Sequence, residues 1–218
     1  MITSSIRAVL WDFGGVFTTS PFTAFTLYEK TNGLPKDFIR SVNAHNSNTN
    51  AWAMMERNEV THEEFCYLFE AETRAAGHAI NGGDLLPLLS GEIQLEMVAA
   101  LKIVAKSHKT ACLTNNMQTG HGPAMSQNPS KAKHISQIME IFGWIIESSQ
   151  IGVRKPERKF YELACEKLEI QPNEAVFLDD LGVNLKPARA MGMTTIKVVG
   201  PDQAIADLEA VLGISLRA

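Results

Sequence analysis

The sequence predicts an α/β fold: a parallel sheet flanked by helices, interrupted after its first strand by an all-helical block. Three observations carry this expectation. The run Ala8-Val9-Leu10-Trp11, closed by Asp12 and a glycine pair, reads as a short strand buried on both faces. From Lys109 onward, short apolar runs alternate with helical periodicities, the pattern of βαβ units. Between them strand-like runs disappear and helical spacing takes over. The expected division is therefore a core of residues 1–17 and 108–218 and a helical block of residues 18–107.

Composition bounds the function. A chain of 218 residues, 45% hydrophobic and 20% charged, suits one domain with a sizeable insertion and buries a real core. A net charge of -4 leaves no basic footprint for nucleic acid. Cys66, Cys112 and Cys165 are scattered, with no CxxC or Cys/His spacing, so they read as reduced thiols of a cytoplasmic protein. No basic-then-apolar leader and no long apolar run is present, so neither export nor a membrane span is expected. Nothing in the pattern sets an oligomeric state.

In chain order, Phe22, Phe25, Leu27 and Tyr28 predict an amphipathic helix closed by Asn32-Gly33 and Pro35. Phe38, Ile39 and Val42 predict a second, and residues 45–50 a polar loop. Trp52, Met54 and Met55 lead into Arg57-Asn58-Glu59. Thr61-His62-Glu63-Glu64 forms a capping box for a helix burying Phe65, Leu68 and Phe69 and stopping at Gly77. Residues 81–84 read as a turn, and 92–106 as a helix. The second half predicts strands at 109–113, 144–147, 175–178 and 194–199. Helices are expected at 132–142, 157–168, 185–191 and 201–212, with loops at 117–130 and 150–156.

Three of these strands end in polar groups: Asp12, Thr114-Asn115 and Asp179-Asp180. Lys155 lies in a loop just before a helix. In a parallel sheet such ends share one edge, where α/β folds bind ligands. Carboxylates with other oxygen ligands suit Mg²⁺. A hydroxyl, an amide and an ammonium suit the oxygens of a phosphoryl group. Each residue also has a plainer reading. Asp12 and Thr114 fit turns, Asp179-Asp180 a helix cap, and Lys155 a solvated loop charge.

Asp12-Phe13-Gly14-Gly15-Val16, Cys112-Leu113-Thr114-Asn115-Asn116, Val153-Arg154-Lys155-Pro156 and the run from Phe177 to Arg189 resemble, in order and spacing, the four motifs of the haloacid dehalogenase (HAD) superfamily. The likeness covers nearly the whole chain, and the helical block matches that family's small cap. Arg57-Asn58-Glu59-Val60-Thr61 and residues 184–189 carry a finer likeness. It is to the phosphatase-like domain at the amino end of soluble epoxide hydrolases and to related acyl-CoA-dehydrogenase-associated domains.

The resemblance implies a Rossmann-like core and a Mg²⁺-dependent phosphomonoester phosphatase acting on a small phosphate ester. Asp12 would be the nucleophile and a metal ligand, and Gly14 would offer its carbonyl to the metal. Asp180 would be a direct ligand, with Asp179 either a ligand through water or the partner of Lys155. Thr114 and the Asn115 amide would hold phosphoryl oxygens, and Lys155 would neutralise charge between nucleophile and phosphate.

One position departs from the pattern. The second aspartate, two residues after the nucleophile, protonates the leaving oxygen and then activates water; here Gly14 stands there. Three readings follow. The protein is a phosphatase whose proton comes from water, the substrate or a cap residue, with His45 and His62 as candidates by type. Or it is a 2-haloacid dehalogenase-type hydrolase, whose halide needs no proton. Or it is a catalytically weak binding or regulatory module. Phe17, Phe22, Trp52 and Met54-Met55 are expected either to pack the cap interior or to line an apolar entrance.

Overall fold

A computed structural model describes residues 5–118 and 128–217. Among these, five parallel strands form one sheet in the order β3-β2-β1-β4-β5. They are β1 (Ala8–Trp11), β2 (Lys109–Thr114), β3 (Trp144–Glu147), β4 (Ala175–Asp179) and β5 (Thr194–Lys197). From β1 the chain runs outward through β2 and β3, then returns to β1's other side for β4 and β5. The order thus reverses at β1, and the crevice at that reversal is where such sheets bind ligands.

The strands are continuous apolar runs because both faces are covered. Alternate residues nevertheless go to opposite layers. Val9, Trp11, Cys112, Val176 and Leu178 pack on one face. Ala8, Leu10, Ala111, Leu113, Ala175 and Phe177 pack on the other. The first face is covered by α6 (Leu95–Val104), α7 (Pro129–Met139) and α11 (Pro201–Leu212), the second by α9 (Arg158–Leu168) and α10 (Gly182–Ala190).

The helical block contains α1 (Pro21–Thr31), α2 (Phe38–Ala44), α3 (Ala51–Glu56), α4 (His62–Ala75) and α5 (Gly82–Leu85). It has its own apolar cluster, including Phe25, Ile39, Met55, Phe65 and Phe69. The capping box of α4 forms: the Glu64 N–H donates to Thr61 Oγ1 at 3.2 Å, and the Thr61 N–H to Glu64 Oε2 at 2.8 Å. Such a cap contributes about 1 kcal/mol to its helix.

Several boundaries differ from expectation. Residues 81–84 are not a free turn: the Asn81 side chain accepts from the Gly83 N–H and starts α5. The expected loop at 150–156 begins inside the short helix α8 (Ser148–Ile151). Helix α7 starts at Pro129, capped by the Asn128 side chain, so the expected loop at 117–130 is shorter; its residues 119–127 lie outside the described residues. Helix α10 starts at Gly182, ahead of the expected 185. Helix α6, expected with the helical block, packs on the sheet instead, its Met97, Leu101 and Val104 in one apolar cluster with Trp11 and Cys112 of the strands.

The two chain crossings between sheet and block lie side by side. The Thr19 N–H donates to the Glu92 carbonyl at 2.8 Å, and the Gln94 N–H to the Phe17 carbonyl at 2.9 Å. Thr18 and Ile93 form an antiparallel bridge. The Gln94 side-chain amide donates to the carbonyls of Val16 and Thr18 at 3.1 and 3.0 Å.

Candidate active site

The carboxyl ends of β1, β2 and β4 bring the polar strand ends to one place. The Asp12 N–H donates to the Leu178 carbonyl at 2.8 Å, which extends the β1–β4 pairing by one residue and fixes the Asp12 backbone. The Phe13 N–H donates to Asp12 Oδ1 at 2.7 Å. Lys155, delivered by the loop before α9, is fully buried; its Nζ lies 2.8 Å from both Asp12 Oδ1 and Asp179 Oδ2. A buried ammonium is tolerable only with such partners. Burial works against the Lys155 charge, but Asp12 and Asp179 outweigh it and hold the ammonium above the ordinary lysine range. Burial lifts the Asp12 carboxyl above the usual carboxylate range, against the pull of Lys155.

Asp179 is heavily bonded. Besides Lys155, it accepts from the Leu181 N–H at 2.7 Å and from Asn184 Nδ2 at 3.1 and 3.0 Å. Asp179 is thus paired with Lys155 in the structure. Asp180 is more open and accepts from Ser20 Oγ at 3.2 Å. Gly15 presses against it: with φ at +75°, a Cβ there would meet Asp180 Oδ2 at 2.2 Å, so only glycine fits. Gly14 is different. A Cβ there meets nothing within 4 Å, so the backbone leaves open space for a side chain to start.

Thr114 is buried at the end of β2. The Asn115 side chain is spent on the lysine loop: Oδ1 accepts from the Lys155 N–H at 2.8 Å, and Nδ2 donates to the Lys155 carbonyl at 2.9 Å. A cavity of about 470 Å³ opens over these groups, walled on the far side by Phe22, Phe25, Trp52 and Leu89 of the helical block. The two expectations for the apolar residues therefore split. Phe22 and Trp52 line the cavity, whereas Phe17 packs in the sheet core and Met55 in the interior of the block. Met54 is not among the lining residues, and neither His45 nor His62 reaches the cavity.

Oxygen atoms of Asp12, Asp179 and Asp180 lie within 4.8 Å of one another, against one lysine. This hard-oxygen set with surplus negative charge fits Mg²⁺. Burial pushes the Asp180 carboxyl up to about 6, and the neighbouring Asp179 adds to it. A carboxyl raised in the fold favours its protonated form. The penalty is absent below the pKa of a free carboxylate, grows as pH rises through about 6, and is complete above. Asp180→Asn is therefore expected to stabilise the protein in EDTA at pH 8, by about 1–2 kcal/mol or a few degrees in Tm, and to do much less at pH 4. Added Mg²⁺ should raise the Tm of the wild type more than that of the variant. Thermal denaturation followed by circular dichroism reads both.

Four residues of this site were not singled out from sequence: Ser20, Glu56, Arg154 and Asn184. Ser20 occupies the N-cap position of α1, yet its hydroxyl makes no cap bond and turns to Asp180. Arg154 and Asn184 lie inside stretches whose motif resemblance is visible, without a signal of their own. Glu56 carries none.

A family model described as haloacid dehalogenase-like hydrolase matches residues 6–192. Acyl-CoA dehydrogenase family member 10 of Mus musculus is 33% identical over 218 residues, covering 97% of this chain and 20% of the relative. Bifunctional epoxide hydrolase 2 of Sus scrofa is 31% identical over 226 residues, covering 97% and 40%. The chain thus spans less than half the length of these relatives. Among solved structures, a HAD-like family hydrolase of Porphyromonas gingivalis superposes with a TM-score of 0.63 at 19% identity, covering 96% of this chain and 99% of that one. A HAD family enzyme of Bacteroides thetaiotaomicron, in complex with magnesium and inorganic phosphate, gives 0.57 at 17% identity, covering 88% and 94%. With the family match spanning most of the chain and its motifs meeting at one sheet edge, the protein belongs to the haloacid dehalogenase-like hydrolases.

Proposed function

We propose that the protein is a Mg²⁺-dependent phosphomonoester hydrolase that works through an aspartyl-phosphate on Asp12. The observation that carries this is the buried Lys155 ammonium bridging Asp12 and Asp179, with Asp180 beside them at the floor of a cavity walled by the helical block. Asp12, Asp180 and the Gly14 carbonyl would hold the metal, with Asp179 orienting Lys155. When bound, Mg²⁺ offsets the repulsion between a carboxylate and a phosphate dianion.

An Asp12 carboxylate oxygen attacks phosphorus, and the bond from phosphorus to the ester oxygen breaks with its electron pair on that oxygen. The Thr114 hydroxyl and the Asn115 main-chain N–H donate to the non-bridging oxygens, and Lys155 offsets their charge. The departing oxygen takes its proton from water. A water oxygen then attacks the phosphorus, the bond to Asp12 breaks, and inorganic phosphate leaves with Asp12 restored. The aromatic wall of Phe22, Phe25 and Trp52 supports an ester of an apolar or aromatic alcohol. We assign α6 to the core, which makes the cap residues 18–94. The unpaired thiols Cys66, Cys112 and Cys165 support a cytoplasmic setting. No described helix is long and apolar enough to cross a membrane.

Hydrolysis of an activated aryl phosphate, measured with and without Mg²⁺, tests the proposal; activity indifferent to the metal overturns it. Gly14→Asp is expected to speed alkyl phosphates, whose leaving group needs a proton, by about tenfold or more, and aryl phosphates little. Equal rates on alkyl phosphates would mean that a proton donor is already in place. Gly14 also favours a second reading, displacement of halide from a 2-haloacid, which needs no proton. Chloride release from 2-chloropropionate would establish that reading instead.

A further inference from the structure

Glu56, the last residue of α3, is a side chain of the helical block that reaches the loops around Lys155. It is only 7% exposed. Its Oε1 accepts from Trp52 Nε1 at 3.2 Å. Its Oε2 accepts from Asn115 Nδ2 at 3.0 Å and from Arg154 Nε. Arg154 is itself tied to the block, donating from Nη1 to the Ser47 carbonyl at 3.0 Å. The Glu56 carboxylate is thus held by one loop on each side of the site: the end of β2 and the segment that delivers Lys155.

The consequence lies in the Asn115 amide. An amide has a donor end and an acceptor end, and its orientation follows from its partners. A carboxylate only accepts, so it is Nδ2 that faces Glu56. That leaves Oδ1 facing the Lys155 N–H and Nδ2 also reaching the Lys155 carbonyl. The Lys155 N–H and carbonyl select the same orientation, so Glu56 does not choose which end faces the lysine; it gives Nδ2 a second acceptor and so anchors the amide, and the loop it holds, to the helical block. A short chain of hydrogen bonds therefore runs from the helical block to the main chain of the residue whose ammonium bridges Asp12 and Asp179.

We propose that Glu56 is a positioning residue for Lys155, through which docking of the helical block anchors the Asn115 amide and so sets the lysine between its two aspartates. This rests on the phosphate-hydrolase reading above. A second tie between block and core, Arg57 Nη1 to Glu157 Oε1 at 3.6 Å, does not touch Asn115 and serves as the control.

The test is steady-state hydrolysis of an activated aryl phosphate with Mg²⁺ by the wild type, Glu56→Ala, Glu56→Gln, Arg57→Ala and Asn115→Ala, with circular dichroism reporting folding. Glu56→Ala is expected to lower kcat about ten- to a hundredfold, the factor a lost hydrogen bond to a charged group carries, with KM within about threefold. Glu56→Gln, which keeps an acceptor oxygen, should recover most of the loss, and Arg57→Ala should leave kcat unchanged. In an Asn115→Ala background, Glu56→Ala should add less than about twofold, because the two act through one contact. Additive losses, a change confined to KM, or a glutamine no better than alanine would overturn the role of Glu56. If Glu56→Ala does not fold, Glu56→Gln takes its place in the cycle. Wild-type turnover that ignores Asp12→Asn overturns the hydrolase reading, and this inference with it; turnover that needs Asp12 but not Glu56 overturns the inference alone.

Discussion

Asp12→Asn is expected to lower turnover of an activated aryl phosphate by a factor on the order of 10⁴ or more, with the fold intact. The substitution is isosteric. An amide oxygen can still accept from the Phe13 N–H and from Lys155, so the contacts at 2.7 and 2.8 Å survive. What disappears is the anionic oxygen that, in the proposed mechanism, attacks phosphorus. The lysine keeps its second partner, Asp179, at 2.8 Å. Burial already penalises the Asp12 charge, so losing it does not cost the fold. Turnover and Tm measured on the same preparation separate the outcomes. A variant with a wild-type Tm that retains activity within tenfold would rule out Asp12 as the nucleophile.

The second large effect is on stability. Lys155→Met leaves Asp12 and Asp179 facing each other with no cation between them. Removing one partner of a buried ion pair costs about 3–5 kcal/mol, or about 10 °C in Tm for a chain of this size. The pH dependence follows from charge. The ammonium is held above its usual range. Its contribution is therefore full below the pKa of a free lysine and is lost only as pH rises through its raised value in the fold. At neutral pH the deficit is complete. It narrows as the pH falls, because protonation of the two carboxyls removes the charge that lacks a partner. Asp12→Asn in the Lys155→Met background should recover part of the loss. Urea denaturation at pH 7.5 and pH 4.5 reads each term, and a deficit that does not shrink in acid would show that packing rather than charge is at stake.

Much of this architecture can be read from the chain. Asp12, Thr114, Lys155 and Asp179-Asp180 are visible because each polar group ends an apolar run or opens a helix, and a parallel sheet puts such ends on one edge. The same logic fails where local pattern leaves the layer undecided. The periodicity of residues 92–106 announces a helix but not the surface it covers, and α6 lies on the sheet. It also fails where a polar side chain serves a distant partner. Ser20 holds the N-cap position of α1 and instead bonds Asp180, 160 positions away. Glu29 looks like a surface residue, yet it is buried and accepts from the N–H groups of Asp37 and Ile39 at 2.9 Å, holding the start of α2. Glu56 belongs to this class. Each is decided by tertiary contacts that no local spacing encodes.

The bridged crossings at Thr18 and Ile93 bear on how the chain folds. Ala8 pairs with Lys109, so β1 and β2 close a very long loop. If the helical block forms first on its own apolar cluster, its ends are already together, and the loop that remains is about a quarter as long. By chain-closure entropy that shortening is worth about 1 kcal/mol toward the central strand pair. The block would then act as a splint for the sheet before it roofs the cavity. Mutations that loosen its interior should slow β1–β2 pairing, even at positions far from either strand.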